Sequence, residues 1–182
     1  AIVDAKSNSG IRSILLIGNG PSFCAGADIH RLAECDAILG HEFAKAGQAL
    51  MNQIETLTKP CLAALHGHVL GGGCELAMSA HFRFAHEKTL LGQPEIKLGV
   101  IPGYGGTQRL SRLVGASRAL DLCLSGRFID ATTALSWGLV NQVFADDLET
   151  EALNYLKQLN QLPSIASASI IESILLGSNM PL

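Results

Sequence analysis

LGGGCELAMSAHFRFAHEKTLLGQPEIKLGVI, the stretch Leu70–Ile101, combines a glycine triplet at the start of a predicted helix with two glutamates. The triplet is Gly71–Gly73, Glu75 falls in the first helical turn, and Glu95 follows twenty residues later. The N–H groups of a first helical turn have no partner within the helix and lie at its positive end, so they can bind a developing negative charge. Two carboxylates that face this point could transfer protons or orient a water molecule.

The composition predicts one buried domain with little charge. At 182 residues the chain is long enough for a single well-buried domain, and no linker-like segment divides residues 1–182. The net charge of −3 and the pI near 6.1 leave no basic surface for a nucleic-acid partner. Apolar residues make up 48% and charged residues 16%, which suggests surface buried between subunits. The apolar runs are far shorter than a bilayer span, so a membrane protein is not expected.

The cysteines and histidines argue against disulfides and against a metal site. Five cysteines are odd in number and lack CxxC spacing, so we predict buried thiols in a reducing compartment, either the cytoplasm or the mitochondrial matrix. No signal-peptide pattern is present, so secretion is not expected. His66 and His68 would share one face of a strand, but a metal site needs further ligands, and we predict none. The cysteines are Cys24, Cys35, Cys61, Cys74 and Cys123.

Predicted strands alternate with predicted helices, which is typical of an α/β layered fold. The loop 92–106 is rich in glycine and proline. Strands are predicted at 13–17, 61–65, 82–85, 89–91 and 139–143, and a strand or turn at 66–70. Helices are predicted at 41–57, 109–114, 117–124 and 164–176, and after the glycine triplet to about residue 79. Further helices are predicted to follow aspartate N-caps at Asp28, at Asp130 and at Asp146 or Asp147, with glycine ends at Gly126 and Gly138.

Four segments resemble a known family. They are 23–29 (FCAGADI), 67–77 (GHVLGGGCELA), 92–110 (GQPEIKLGVIPGYGGTQRL) and 134–140 (ALSWGLV). In this order and spacing they resemble the crotonase superfamily, the enoyl-CoA hydratase and isomerase group. The resemblance implies an α/β fold built as a spiral of ββα units. It also implies an N-terminal hairpin and C-terminal trimerisation helices that this chain lacks, so we expect the sequence to be the middle of a longer protein.

The resemblance implies a site for a coenzyme A thioester. By similarity to the family, the N–H groups of Ala27 and Gly72 form an oxyanion hole for the thioester oxygen. Family members that hydrate a double bond carry glutamates at both positions that match Glu75 and Glu95, whereas many isomerases keep only one. The chain therefore looks like an enoyl-CoA hydratase, a lyase that adds water across a trans-2-enoyl-CoA to give a 3-hydroxyacyl-CoA. Glu75 would deprotonate the water, and Glu95 would hold the water and exchange a proton at the α carbon.

Substrate binding and assembly are also implied by the resemblance. Coenzyme A arrives as part of the substrate, so no separate cofactor is expected, and the assembly is expected to be a homotrimer or a dimer of trimers. Tyr104 stands where smaller residues are common in the family, and it either narrows the acyl end of the site or faces solvent. The positions expected to contact the acyl-CoA are Ala25, Ala27, Asp28, Ile29, Gly72 and Gly103.

Other functions remain open from the sequence. Within the family, the chain could isomerise or hydrolyse a different acyl-CoA. Some family members bind RNA through a basic helix, but the predicted helix 41–57 offers only Lys45 as a lysine or arginine. Paired carboxylates also occur in glycosidases, although one tryptophan and two tyrosines leave little for stacking on sugars. Taken singly, Glu75 is also an ordinary helix-dipole residue and Glu95 an ordinary loop residue.

Overall fold

The computed structural model describes residues 1–28, 30, 32 and 34–177 and has an α/β architecture of two sheets covered by helices. The strands are β1 (Ile14–Ile17), β2 (Cys61–Leu65), β3 (His68–Leu70), β4 (Phe82–His86), β5 (Leu90–Gly92), β6 (Phe128–Asp130) and β7 (Gln142–Phe144). The helices are α1 (Ile2–Ser7), α2 (Ala37–Glu55), α3 (Gly72–Ser79), α4 (Gly106–Val114), α5 (Ala116–Ser125), α6 (Ala131–Trp137), α7 (Leu148–Leu159) and α8 (Ser164–Gly177), with a 3₁₀ helix at Pro94–Leu98.

The two sheets differ in strand direction. The larger sheet has the order β1-β2-β4-β7, with all neighbours parallel. Its central strand β2 is apolar and buried along its whole length, as expected for a parallel sheet covered on both faces. The smaller sheet has the order β3-β5-β6, in which β3 and β5 are parallel and β5 and β6 antiparallel. A bridge between Cys24 and Val69 attaches the segment that follows β1 to the smaller sheet.

The hydrophobic core occupies both faces of the larger sheet. Side chains of a strand point alternately to its two faces, and β2 follows this rule. Leu62 and Ala64 pack in a cluster with the buried face of α7. Cys61, Ala63 and Leu65 lie in the main cluster, which also contains buried side chains of α3, α4 and the smaller sheet. The larger sheet is therefore a central layer, and α3 is anchored directly beneath it.

The helix α2 begins earlier than its predicted start at residue 41. The carboxylate of Asp36 accepts hydrogen bonds from two N–H groups of the first turn, which is a strong N-cap that the apolar periodicity does not reveal. This helix is only partly buried, since Ala46 is exposed and Leu50 is 43% exposed. The side chains that α2 buries are Met51 and Ile54 near its C-terminal end. The prediction of this helix was right in type and wrong in its start.

Local signals predicted several helix ends correctly. The Asp130 side chain accepts from the N–H of Thr133 at 2.7 Å and starts α6. Gly138 ends the same helix with φ of 80°, and Gly126 ends α5 with φ of 60°. A residue with a side chain rarely adopts such positive φ values, which is why glycine marks these positions.

Two predicted boundaries were wrong, and one strand was not predicted. The strand predicted at 139–143 occupies Gln142–Phe144, because Leu139 and Val140 are buried in the turn after α6. Both of their N–H groups bond to the carbonyl of Ala134. The three-residue strand β6 was not predicted from the sequence. The predicted loop 92–106 contains the 3₁₀ helix and the first residue of α4.

The predicted helix after Asp28 is described only in part. The Asp28 carboxylate accepts from the N–H of His30 at 2.9 Å, and the N–H of Leu32 bonds to the carbonyl of Asp28 at 3.1 Å. These contacts are those of a helix N-terminus, whereas Ile29 lies outside the described residues. Asp147 caps α7 without a side-chain hydrogen bond, and α7 ends at Leu159 rather than near residue 162.

The helix α8 buries none of its side chains, although it is rich in isoleucine and leucine. Ile165 is 83% exposed and Ile174 is 64% exposed. Across the described part of the chain, α8 included, helices of the length and apolarity that a bilayer crossing requires are not found.

Candidate active site

Parallel pairing of β3 with β5 brings the two glutamates to one end of the smaller sheet. Leu70 pairs with Gly92, so the chain leaves both strands side by side. After β3 the chain enters α3, which carries Glu75 in its first turn. After β5 it enters the 3₁₀ helix, which carries Glu95 in its first turn. The region beyond the carboxyl ends of parallel strands is a common place for ligand sites in α/β proteins.

A cavity of about 490 Å³ opens at this end of the smaller sheet. Both glutamates line it, and Glu95 Oε1 lies 3.2 Å from where a Cβ on Gly71 would stand. Asp28 does not line this cavity, since its carboxylate caps the helical turn described above. The predicted site residue Ile29 lies outside the described residues. The remaining predicted site residues all line the cavity: Ala25, Ala27, Gly72, Glu75, Glu95 and Gly103.

Glu75 is held in one orientation by backbone donors. Its side chain is 1% exposed, and its Oε1 accepts from the N–H of Tyr104 at 2.8 Å and of Gly106 at 2.7 Å. Burial raises the pKa of Glu75 above its ordinary value, while these two N–H groups and the charge of Arg109 oppose the rise. A Cβ on Gly106 would lie only 2.7 Å from Glu75 Oε1, so the close approach requires glycine.

Glu95 occupies a different environment. Burial and the neighbouring charge of Glu75 raise the pKa of Glu95 to about 7, against a backbone hydrogen bond that lowers it. The fully buried amide of Gln93 lies against this carboxyl group; turned with its nitrogen inward, it donates to the two oxygens at 2.8 and 3.0 Å. An amide offers donors on one side and an acceptor on the other, so Gln93 can pair with either protonation state of Glu95.

The two predicted oxyanion donors lie close together. A Cβ on Gly72 would stand 3.6 Å from the nitrogen of Ala27. Since a Cβ lies about 2.5 Å from its own backbone nitrogen, the two nitrogens are at most about 6 Å apart. Two donors that each lie about 3 Å from one oxygen satisfy this limit. The bridge from Cys24 to Val69 and the hydrogen bond from the N–H of Leu70 to the carbonyl of Cys24 at 3.0 Å fix the segment that leads to Ala27 against β3, from which α3 follows.

Tyr104 lines the cavity, which favours the first of the two alternatives left by the sequence. Its ring lies between Gly47 of α2 and Gly72 of α3, since a Cβ on either glycine would stand 2.1 or 3.1 Å from a ring carbon. The Phe43 ring packs on it edge to face, with centroids 5.7 Å apart. The half-buried aromatic ring therefore forms part of the cavity wall beside the predicted oxyanion donors.

Comparison with known proteins decides the family. A sequence model of enoyl-CoA hydratase/isomerase matches residues 1–180.

The chain belongs to the enoyl-CoA hydratase/isomerase family.

Three relatives place the chain within the crotonase superfamily. A probable enoyl-CoA hydratase of Bacillus subtilis is 47% identical over 148 residues, or 79% of this chain and 56% of the relative. A short-chain-enoyl-CoA hydratase of Clostridium acetobutylicum is 42% identical over 171 residues, or 93% of this chain and 64% of the relative. The crystal structure of an enoyl-CoA hydratase from Bacillus anthracis gives a TM-score of 0.94 at 35% identity, covering 99% of this chain and 70% of that one. The predicted crotonase-type α/β fold is confirmed, and the chain spans 56 to 64% of these two curated relatives.

Sequence reasoning missed three parts of the site in this member of the enoyl-CoA hydratase/isomerase family. Gln93 precedes the Pro-Glu pair, and nothing in its neighbours indicates a fully buried amide. The N–H of Gly106 is a main-chain group that no side-chain pattern marks. Arg109 is a charged residue in an amphipathic helix, where solvent exposure is the usual expectation, yet only 6% of it is exposed. The neighbouring apolar residue Leu110 did not indicate the burial of Arg109 either.

The surroundings of the cysteines and of His66 indicate structural roles for these residues. Burial raises the pKa of the Cys61 and Cys74 thiols to about 12, which keeps both protonated. The other three cysteines are only half-buried, so the prediction of buried thiols was wrong for them. His66 shares a hydrogen bond with the carbonyl of Gly20 at 3.1 Å. Within residues 1–28, 30, 32 and 34–177, His, Cys, Asp and Glu form no group of three or more that could bind a metal ion.

The raised pKa of Glu95 predicts a pH-dependent stability in this family member. An unfolded glutamate titrates near 4.5, whereas folded Glu95 titrates at about 7. Between these values the folded state binds more protons, so the stabilisation relative to Glu95→Gln is present at low pH and is lost as pH rises through about 7. We expect the difference in unfolding free energy between wild type and Glu95→Gln to fall between pH 5 and pH 8 in urea titrations. Glu87→Gln, at an exposed glutamate, serves as the control. A free-energy difference between wild type and Glu95→Gln that does not change with pH would contradict this prediction.

The contact between Gly47 and Tyr104 predicts strong coupling in stability. Gly47→Ala places a Cβ 2.1 Å from the Tyr104 ring, so it should destabilise the protein by about 1–3 kcal/mol. In a Tyr104→Ala background the clash is absent, and alanine in the helix should be neutral or stabilise by up to about 1 kcal/mol. Urea unfolding of the two single variants and the double variant measures the coupling. Additive effects would show that the ring does not occupy this position.

Proposed function

We propose that this chain contains the catalytic core of an enoyl-CoA hydratase, a lyase that adds water across a trans-2-enoyl-CoA to give a 3-hydroxyacyl-CoA. The observation that supports the proposal most directly is the placement of Glu75 and Glu95 on one cavity with the backbone of Ala27 and Gly72. The two glutamates differ in environment, with Glu75 held by two N–H groups and Glu95 titrating near 7. Such a difference suits two carboxyl groups with separate roles in proton transfer.

The oxyanion donors have the largest expected role in this reaction. Attack of water on the β carbon sends electron density through the α carbon to the thioester oxygen. The N–H groups of Ala27 and Gly72 would stabilise that oxygen, and loss of one such donor generally costs about 3 kcal/mol. Gly72 has no side chain between its N–H and the ligand, which keeps the approach open.

The two glutamates would then complete the addition. Ionised Glu75 orients the water and takes one of its protons as the C–O bond forms at the β carbon. Glu95, protonated on part of the molecules near neutral pH, gives its proton to the α carbon as the double bond is consumed. Water thereby supplies one hydroxyl group and, through the carboxyl pair and solvent, one proton. Close carboxyl groups titrate as a coupled pair, so a pH–rate profile would report on both.

The proposed substrate accounts for the remaining features of the site. Coenzyme A enters as part of the thioester, and water and carboxyl groups suffice for the chemistry, so we propose no separate cofactor. Ala25 and Gly103 line the same cavity and would contact the thioester.

Exposed apolar side chains near the cavity support a homotrimer or a dimer of trimers; examples are Ile38 at 75% exposure and Ile101 at 73%. Free thiols support a reducing compartment, the cytoplasm or the mitochondrial matrix.

Product analysis with a panel of thioesters tests the proposal. Crotonyl-CoA should be converted to 3-hydroxybutyryl-CoA, identified by mass, without release of free coenzyme A. Formation of a 2-enoyl-CoA from a 3-enoyl-CoA, with no hydrated product from either, would identify an isomerase instead. Release of the free thiol would identify a hydrolase. Salt-sensitive retention of RNA with no turnover would favour an RNA-binding homologue, which the single lysine of α2 and the net charge of −3 argue against.

A further inference from the structure

Arg109 of α4 joins three parts of the molecule. Its Nε and Nη2 donate to Glu55 Oε2 at 3.0 and 2.7 Å, and Nη2 also donates to Asn52 Oδ1 at 2.7 Å. Its Nη1 donates to the carbonyl of Tyr104 at 2.9 Å. Asn52 and Glu55 both lie at the C-terminal end of α2. The guanidinium group therefore ties α2 to the loop before α4.

The same loop holds the carboxylate of Glu75. Tyr104 offers its carbonyl to Arg109 and its N–H to Glu75 Oε1, and the N–H of Gly106 donates to the same oxygen. Between them, Gly105 has φ of 96°, and a Cβ there would lie 2.5 Å from Arg109 Nη1. The guanidinium group therefore packs directly against this loop, on the side opposite the N–H groups that contact Glu75.

We propose that Arg109 is a positioning residue, which fixes the loop 103–106 and thereby the orientation of Glu75 without touching the substrate. This inference rests on the proposed role of Glu75 in hydration.

The residue type fits the task of positioning better than that of stabilising the fold. Ion pairs often contribute little to stability, whether buried or exposed, so the partly buried pair of Arg109 and Glu55 is weak evidence for a structural role. The planar guanidinium fork reaches three acceptors at once, which a lysine ammonium group on a flexible stem cannot do. A shift of the catalytic group by about 1 Å can lower the rate by about 100-fold.

Arg109 also influences the charge state of Glu75. The charge of Arg109 from α4 lowers the pKa of Glu75, the charge of Glu75 raises the pKa of Glu95 on the 3₁₀ helix, and Glu55 pairs with Arg109. Loss of the guanidinium group removes a positive charge and loosens two N–H donors, and both changes favour protonated Glu75. The acid limb of the activity profile should therefore move to higher pH. Neighbouring thiols remain protonated in this range, at Cys74 and Cys123.

The test compares Arg109→Met and Arg109→Lys with Arg127→Met, which removes an exposed arginine paired with Asp121. We expect Arg109→Met to lower kcat by about 10- to 100-fold with KM within about 3-fold of wild type. Its acid limb should move to higher pH. Arg109→Lys should keep most of the pH profile, because it retains the charge, but should also lose kcat. Arg127→Met should match wild type in both measurements.

A readout without turnover completes the test. Hydrogen exchange of the Tyr104 and Gly106 amides should accelerate in Arg109→Met, while exchange in β2 should stay as in wild type. A kcat per folded molecule within about 3-fold of wild type, with an unmoved acid limb, would overturn the proposal.

Folding defects and failure of the proposed function are distinguishable outcomes. If Arg109→Met does not fold, Asn52→Leu and Glu55→Gln remove its anchors one at a time and leave the arginine in place. Each should lower kcat several-fold without a matching change in KM, and wild-type kinetics in both would overturn the inference. A wild-type protein that does not hydrate crotonyl-CoA contradicts the proposed function itself, whereas normal wild-type hydration with unaffected Arg109 variants contradicts only the positioning role.

Discussion

Glu75→Gln is expected to lower kcat for crotonyl-CoA hydration by about 1,000-fold, with KM within about 3-fold of wild type. A glutamine oxygen can still accept from the N–H groups of Tyr104 and Gly106, so the side chain should keep its place. What the substitution removes is the negative charge that takes a proton from water. Steady-state kinetics with crotonyl-CoA measure the effect, and circular dichroism checks that the variant is folded.

Glu95→Gln should have an effect of similar size, because the α carbon would lose its proton donor. The double variant should be at most about 10-fold less active than the less active of the two single variants, because the effects of groups that act on one step are not additive. Glu87→Gln is the matched control, because Glu87 is exposed and lies in the turn between β4 and β5. Full activity in either active-site variant would refute the assignment of that glutamate.

Gly73→Ala is expected to produce the largest combined loss of stability and activity. A Cβ on Gly73 would stand 2.0 Å from the carbonyl oxygen of Cys24 and 2.7 Å from its carbonyl carbon. These are backbone atoms held by the bridge to Val69, so they cannot turn aside as a flexible side chain could. We expect destabilisation of about 3 kcal/mol or more in urea unfolding.

The same clash should separate the two oxyanion donors. Cys24 lies three residues before Ala27, and α3 carries Gly72, so forcing the two segments apart moves one donor away from the other. We expect kcat of the folded variant to fall by about 100- to 1,000-fold, the usual cost of one lost donor. Gly40→Ala is the control for stability, because it lies in α2 with Cys35 Cβ at 3.9 Å and should be neutral or stabilising. Wild-type stability in Gly73→Ala would show that the two segments are not in contact.

Local chemistry explains why much of the fold was predictable. The run Cys61–Leu65 is apolar on both faces, and such a run between proline and glycine predicts a buried parallel strand. The Asp130 cap and the glycine ends of α5 and α6 act within one helical turn, so neighbours in sequence determine them. The glycine triplet and Glu75 lie within five residues, which is why the start of α3 was evident.

The predictions failed where the apolar pattern does not include the residue or contact that decides the structure. The start of α2 was misplaced because the Asp36 cap lies outside the apolar pattern that indicated the helix. The burial of Leu139 and Val140 in a turn, rather than in a strand, follows from their position above the main core. Apolar composition alone does not distinguish these two outcomes.

The amino-acid sequence by itself determined the α/β class, the start of α3, the presence of two glutamates and the resemblance that led to the family. These depend on periodicity, capping and motif spacing, which act over a few residues. Only the tertiary structure decided that Glu75 is held by amides from 29 and 31 residues later in the chain, that Gln93 faces Glu95, and that Arg109 is buried. The physical reason is that main-chain donors carry no side-chain signature, and the burial of a polar group depends on which distant segments pack around it.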